Sequence, residues 1–389
     1  KHQSSQNPSI PEQGWPRERC PLSDQQLDEI ARIRSQHAKQ YFGIDSGLKP
    51  NPLQAGCHDL SRPADKSCLV SILIPFRDRV ELTRACVDSI KLNAGKDCTY
   101  EIVLIDNGST ESATREWINE AIKEDNIQYI RLDEEFNYSR LNNKARQLCR
   151  GDFLLFLNND IKFISDSVLN VLLDPFAHPK TVAVGSRLNY PDGSIQHQGV
   201  VIIPGERRCV LEPGKHLDEQ EVIASLLPLR TQEEFSAASA ACLMVKAEWF
   251  DFVGGFDEKL AVVFNDVDLC LRLRDAGGSV VVTPHATITH YESISRGKDQ
   301  VGFAWARHQR ESGRLRLKHK TIYAQGDPLI SPLLHHHSTR YEPVLKQVAP
   351  LRPAREEVLL TWRRPLRTND KRIPPVSYTH LRAHETGYN

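Results

Sequence analysis

Phe153-Leu154-Leu155-Phe156-Leu157-Asn158-Asn159-Asp160 is an apolar run that stops abruptly on two amides and a carboxylate. The run is too short for a buried helix. It predicts a strand buried on both faces, the kind that fills the interior of a parallel sheet. Open α/β sheets bind ligands just beyond the carboxyl ends of their strands, which makes Asp160 a candidate ligand for a cation or a polar substrate.

Upstream of this strand the chain alternates strand and helix. Strands are predicted at Cys68–Ile74, Tyr100–Ile105 and Ile127–Leu132, and helices at Val80–Asn93, Glu111–Asp125 and Ser139–Arg150. Strands separated by helices of roughly 10 to 15 residues build βαβ units and a mostly parallel sheet. Downstream the rhythm loosens. A helix near Asp166–Leu173 and a strand at Thr181–Val184 precede a Pro191-Asp192-Gly193 turn into Ile195–Ile203. Residues Glu206 to Glu234 are charged and irregular and read as a loop over a cleft. Ala237–Val245 is small and apolar. A helix from Glu248 to Val253 ends at Gly254-Gly255, and another from Asn265 to Ala276 closes at Gly277-Gly278. Val280–Val282 and Thr287–Thr289 supply the last strands, so this half is mixed rather than strictly parallel.

Four segments follow. Residues 1–66 form a helical or linker extension, in which Ser23 and Gln26 make a capping box ahead of Leu27, Ile30, Ile33 and Tyr41. Residues 67–300 are the α/β domain. Residues 301–375 are a helical and irregular extension that starts with a helix around Phe303–Lys318. In residues 376–389 the stretch Val376 to Thr386 resembles the conceptual translation of a sequencing-library adaptor and is set aside from fold reasoning.

Fifty acidic and fifty basic side chains cancel, so no global field recruits nucleic acid or an anionic membrane. Apolar runs such as Phe153–Leu157 and Ala240–Val245 fall far below the roughly 18 to 20 residues of a membrane span, and any membrane contact is peripheral. The nine cysteines include no Cys-x-x-Cys pair. Several sit in apolar patterns, which reads as reduced core thiols in a cytoplasmic protein. No secretion signal is expected from the first residues, although the chain opens on Lys1 rather than Met.

Three acidic signals fall where this architecture builds sites. Asp106, in Asp106-Asn107-Gly108-Ser109-Thr110, ends its strand, so Asp106 and Asp160 should line the same sheet edge. Each also suits an Asx-turn or a helix cap. Phe264-Asn265-Asp266-Val267-Asp268-Leu269 crowds two carboxylates into the first turn of a helix, where acids are electrostatically favoured. With Asn265 as cap and Asp268 as acceptor for the helix start, Asp266 is left without a structural task. His290 follows Thr287–Thr289. A lone histidine is most often a packed side chain, but a neutral imidazole beside a carboxylate suits a Mn²⁺-like cation. The triplet His335-His336-His337 has no partner acids nearby and reads as solvent-exposed.

Together these residues resemble the family 2 glycosyltransferases, inverting enzymes of the GT-A fold that use nucleotide-diphosphate sugars. The resemblance spans residues 67 to 300 and rests on motifs in order: Val70-Ser71-Ile72-Leu73-Ile74-Pro75-Phe76-Arg77-Asp78, Asp106-Asn107-Gly108-Ser109, Asn158-Asn159-Asp160, Gly254-Gly255-Phe256-Asp257-Glu258, Asp266-Val267-Asp268-Leu269 and His290. Phe136-Asn137-Tyr138-Ser139-Arg140-Leu141-Asn142-Asn143 and the segment Asp327 to Pro332 are most like bacterial enzymes that build O-antigen and related surface polysaccharides.

The fold so implied is a doubly wound, mostly parallel but mixed sheet flanked by helices. Pro75, Phe76, Arg77, Asp78, Asp106, Asn107, Asn158, Asn159 and Arg296 would bind the nucleotide sugar. Asp160 and His290 would hold Mn²⁺ or Mg²⁺, with Asn158 in place of the first acid of the family's Asp-x-Asp motif. Asp266 would be the catalytic base, with Asn265 in place of the glutamate of the family's Glu-Asp pair; at its ordinary pKa it is ionised at neutral pH. The implied partners are a nucleotide-diphosphate sugar donor and a glycan or lipid-linked acceptor at the inner face of the membrane. A nucleotidyltransferase would need a glycine-rich phosphate loop after the first strand, and Pro75-Phe76-Arg77-Asp78-Arg79 has no glycine. A non-catalytic sugar-nucleotide-binding module would not be expected to keep Asp106, Asp160, Asp266 and His290 together.

Overall fold

The computed structural model describes residues 68–96, 98–203, 209–218, 230–291, 301–330 and 339. Its main sheet is built around three strands that bury nearly every residue: Leu69–Phe76 (β1), Thr99–Asp106 (β2) and, beyond the edge strand Ile127–Arg131 (β3), Phe153–Leu157 (β4). These four pair in parallel in the order β3-β2-β1-β4, with Phe76 opposite Asp106 and Asp106 opposite Arg131. The connecting helices are Val80–Asn93 (α1), Ser112–Ala121 (α2) and Tyr138–Ala145 (α3), the last followed by a 3₁₀ turn at Arg146–Leu148. The helix predicted over Ser139–Arg150 is thus α-helical only to Ala145, 3₁₀ over Arg146–Leu148, and ended before Cys149.

Past Asp160 the chain makes Ile161–Phe163 (β5), a helix Val168–Leu173 (α4), Thr181–Ser186 (β6), Leu188–Asn189 (β7), Ile195–His197 (β8), Val201–Ile202 (β9), Val210–Leu211 (β10) and Glu233–Phe235 (β11). Cys242–Lys246 (β12), helices Ala247–Phe252 (α5) and Asn265–Asp275 (α6), and strands Ser279–Thr283 (β13) and Ile288–His290 (β14) complete the domain. β12 runs antiparallel between β4 and β6, β13 joins β6 in parallel, and β11 closes that edge antiparallel, giving the eight-stranded mixed order β11-β13-β6-β12-β4-β1-β2-β3. A second sheet, β5-β14-β7-β8, places His290 opposite Ile161, next to Asp160.

β4 behaves as its composition predicts. Leu154 and Phe156 join a cluster with Leu141 of α3 and Leu269 of α6, while Leu155 and Leu157 join the opposite cluster with Val87 of α1, Ile118 of α2 and Leu169 of α4. Each such side chain contributes about 1.5–3 kcal/mol of burial, which explains why a run so short holds its place. The predicted strand Ile195–Ile203 is instead split into β8 and β9. Gly199 between them has φ 104°, and a Cβ there would lie 2.5 Å from the Phe235 ring, so the chain turns where only glycine fits.

Helices Val301–Lys318 (α7) and Lys320–Gln325 (α8) pack back onto the domain. Glu311 of α7 is buried and accepts from Val262 N (3.2 Å) and Val263 N (2.8 Å), just ahead of α6. Asp327 accepts from Ile202 N at 2.7 Å and ties the chain after α8 to β9. Among the described residues no helix is long and apolar enough to cross a membrane. Residues 1–66, the His335-His336-His337 triplet, Arg296 and the segment 376–389 lie outside the described residues.

Candidate active site

The carboxyl edge of β1, β2 and β3 carries the first group of expected residues, and the structure divides their tasks. Asp106 is fully buried and both its oxygens are engaged: Oδ1 accepts from Ser109 N (2.7 Å), Oδ2 from Tyr129 Oη (2.8 Å) and Arg131 Nη1 (3.0 Å). It shapes the turn after β2 and leaves presentation to its neighbour. Asn107 donates from Nδ2 to the carbonyls of Leu132 and Glu134, both at 2.9 Å, while its buried Oδ1 has no partner. Asn107, Arg77, Gly108, Asp133, Glu134 and Glu135 line a cleft of about 330 Å³. Pro75 and Phe76 are buried beneath it, and Arg77 is exposed.

Asp78 is occupied by the fold. It takes a left-handed φ of 51°, and its Oδ1 accepts from Thr110 N (2.7 Å) and Glu111 N (2.9 Å), fastening the loop after β1 to the loop after β2. Burial raises its carboxyl pKa, but those two N–H groups outweigh it and the net direction is down.

The second group gathers where β4 ends. Asp160 Oδ1 lies 3.1 Å from His290 Nε2, and Asn158 Nδ2 is 3.3 Å from the same nitrogen. Gln196, on β8, fixes the imidazole: its Nε2 reaches the His290 carbonyl at 3.5 Å, so its Oε1 accepts from Nδ1 at 2.5 Å. These bonds assign the proton to Nδ1 and the lone pair to Nε2. An unprotonated imidazole nitrogen and a carboxylate oxygen at 3.1 Å are a chelating pair, suited to a divalent cation between them. Among the described residues no group of three or more His, Cys, Asp or Glu could hold a metal together. Asn159 turns inward and donates to Thr83 Oγ1 of α1 at 3.1 Å.

Asp266 opens α6, whose preceding Phe264 has φ 61°. Its Oδ2 accepts from Ala240 N at 3.0 Å and its Oδ1 from Val267 N at 2.8 Å. Burial pushes its carboxyl pKa up, only partly offset by these two bonds, so Asp266 is a stronger base than an ordinary aspartate. Asn265, expected to cap the helix, accepts from Asp266 N instead. Asp268 is fully buried and bound by Arg272, Lys318 and His319, so its task is to dock α7 and α8.

The tripeptide Ser239-Ala240-Ala241 joins the two halves of the site. Ala240 N holds Asp266, Ala240 O accepts from Tyr138 Oη at 2.9 Å, and Ala241 O accepts from Asn158 N at 3.0 Å. Asp160 with His290, and Asp266, thus stand on either side of one short tract. Sequence reasoning missed Gln196 and His197. Their signal was present: in Ile195-Gln196-His197-Gln198-Gly199, three consecutive polar residues that need partners interrupt an apolar pattern.

Comparisons with known proteins bear on the family and the fold. Residues 71–231 match the family model described as glycosyl transferase family 2. The O-antigen biosynthesis protein RfbC of Myxococcus xanthus is 32% identical over 274 residues, 69% of this chain and 21% of that protein. The N-acetylglucosaminyl-diphospho-decaprenol L-rhamnosyltransferase of Mycobacterium tuberculosis is 27% identical over 234 residues, 56% of this chain and 75% of that protein. The chain spans only 30% and 21% of the length of the two curated relatives it matches at above 30% identity. In fold, it is similar to the crystal structure of GalNAc-T7 with UDP, GalNAc and Mn²⁺, with a TM-score of 0.50 at 15% identity, over 67% of this chain and 49% of that one. The chain thus contains a glycosyl transferase family 2 domain over residues 71–231, on a mixed sheet of the GT-A fold.

Proposed function

We propose that this chain is an inverting transferase that moves a sugar from a nucleotide-diphosphate donor to a glycan or lipid-linked acceptor in the assembly of a bacterial surface polysaccharide. The observation that carries the proposal is the Ser239-Ala240-Ala241 tract, which sets Asp266 on one side and Asn158, with Asp160 and His290, on the other. The O-antigen and diphospho-decaprenol names of its relatives support the substrate class, and the peripheral site of action at the inner membrane face follows from a lipid-linked acceptor.

Asn107 and Arg77 line the cleft at the ends of β1 and β2 and would contact the nucleotide of the donor. Asp160 and His290 Nε2 would hold Mn²⁺ or Mg²⁺. The ion, when bound, neutralises charge gathering on the departing diphosphate. Asp266 takes the proton of the acceptor hydroxyl as that oxygen bonds to the anomeric carbon, and the bond to the diphosphate oxygen breaks on the opposite face, so configuration inverts. A carboxyl raised by burial is better matched to this proton than one at 3.8.

A thermal-shift screen of uridine, thymidine and guanosine diphosphate sugars, with and without Mn²⁺, tests the donor site, since a ligand of the native state raises its melting temperature. One donor should stabilise the protein in a Mn²⁺-dependent way and be consumed slowly. Stabilisation without turnover by any donor would defeat the proposal in favour of a binding module, and full activity in Asp266→Asn would remove Asp266 as the base.

A further inference from the structure

His197 is buried, next to Asp266 in its electrostatic surroundings, and takes no part in the reaction just described. Its Nε2 faces two backbone N–H groups, Gly199 N at 3.2 Å and Ser239 N at 3.1 Å. A nitrogen that accepts from both carries a lone pair, so the ring proton sits on Nδ1, 3.2 Å from Glu212 Oε1. Glu212 Oε2 lies 2.6 Å from Lys215 Nζ. Burial alone would raise the Glu212 carboxyl, but His197 and Lys215 bring it down to about 2, so it is a fixed anion and dictates the tautomer.

Ser239 N and Ala240 N are consecutive donors of one tract. The first is held by His197, the second holds Asp266, and Tyr138 fixes the carbonyl between Ala240 and Ala241. Glu212 and Lys215 belong to residues 209–218, a described part of the region Glu206 to Glu234 expected to lie over the cleft. That segment is seated by Ile195 N to Leu217 O (2.9 Å), His216 N to Ile195 O (2.7 Å) and the buried side chains of Leu211 and Leu217.

We infer that His197, held in one tautomer by Glu212, is a positioning residue for Asp266, so that seating segment 209–218 and aiming the Ala240 N–H at the base are a single event. The inference rests on Asp266 being the base and extends it to the regulation of that site. Loss of the His197 acceptor frees the Ser239 peptide, and the Ala240 N–H that favours ionised Asp266 loses its aim. The carboxyl then rises further, by roughly one pH unit for one backbone N–H. A glutamine at 197 carries an acceptor at the same reach as Nε2 and should restore the bond.

The test uses the full 389-residue chain and does not need a known donor. In protein carrying ¹³C-labelled aspartate, the Asp266 carboxyl, assigned by its disappearance in Asp266→Asn, is titrated in wild type, H197A, H197Q and E212Q. Amide exchange is followed in residues 236–241. H197A should raise the Asp266 midpoint and speed exchange at Ser239 and Ala240, and H197Q should return both to wild type; E212Q removes a charge that itself raises Asp266, so it is read by faster exchange at Ser239 and Ala240. Should H197A fail to fold, E212Q and H197Q decide. Unchanged exchange at Ser239 and Ala240 in E212Q, or an H197Q midpoint displaced as far as that of H197A, would overturn the inference. Asp266 as the base fails separately, through retained turnover in D266N, and this titration is indifferent to that result.

Discussion

Replacing Asp268 by asparagine removes the charge that docks α7 and α8 onto α6. The Asp268 side chain is wholly buried, with Arg272 Nε at 2.8 Å, Lys318 Nζ at 2.8 Å and His319 Nε2 at 2.9 Å. Burial by itself would raise this carboxyl; His319, Arg272 and Lys318 reverse that and bring it down to about 2 from an ordinary 3.8. A folded pKa below the unfolded one gives stability that is present above the unfolded value and lost as pH falls from about 4 towards 2. At ~1.4 kcal/mol per pH unit, the interval between 3.8 and about 2 amounts to about 2.5 kcal/mol. Asp268→Asn should therefore cost at least about 2.5 kcal/mol at pH 7, and up to about 5 if Lys318 and Arg272 are left unpaired. Urea unfolding at pH 7 and at pH 3 tests this. The wild type should lose about 1 kcal/mol more than the variant between those two pH values, the remainder of the ~2.5 kcal/mol following only below the folded pKa of about 2, and parallel losses would refute the reasoning. Because Glu311 of α7 holds Val262 and Val263 just before Asp266, the variant should also turn over more slowly while binding donor normally.

Three further outcomes are expected. Asp266→Asn should abolish transfer and spare donor binding, and wild-type turnover should fall as pH drops through an Asp266 pKa lying above 3.8, because only the ionised form accepts a proton; a pH–rate profile with its acid limb below 3.8 would contradict this. Asp160→Ala and His290→Ala should each remove the Mn²⁺-dependent part of the thermal stabilisation by UDP and leave the Mn²⁺-independent part, as read by differential scanning fluorimetry. Gly199→Ala should destabilise by roughly 2 to 4 kcal/mol, since its Cβ would meet the Phe235 ring at 2.5 Å from a backbone at φ 104°, and an unchanged denaturant midpoint would contradict the packing.

The element pattern was legible because it depends on local periodicity. β4 could be read from five residues, since a strand between two helical layers must be apolar on both faces, and Leu154, Leu155, Phe156 and Leu157 are divided between the two cores. The break of Ile195–Ile203 at Gly199 was not legible, because it depends on Phe235 arriving from 36 residues further along to occupy the space of the missing Cβ.

The chain by itself determined that acids stand at strand ends and at the start of a helix, since those positions follow from where apolar runs stop. Only the tertiary structure decided what each acid does. Register beside β3 puts Tyr129 and Arg131 on Asp106 and makes it structural, while Asn107 keeps a buried oxygen without a hydrogen-bond partner. Pairing of β5 with β14 brings His290 to Asp160, and Gln196 sets its lone pair. Asp266 and Asp268 lie two residues apart in one helix turn, yet one faces the Ala240 peptide and the other a cage of cations, because opposite sides of α6 pack against different elements. Partners so distant in sequence leave no local trace, and burial converts each into a specific charge state.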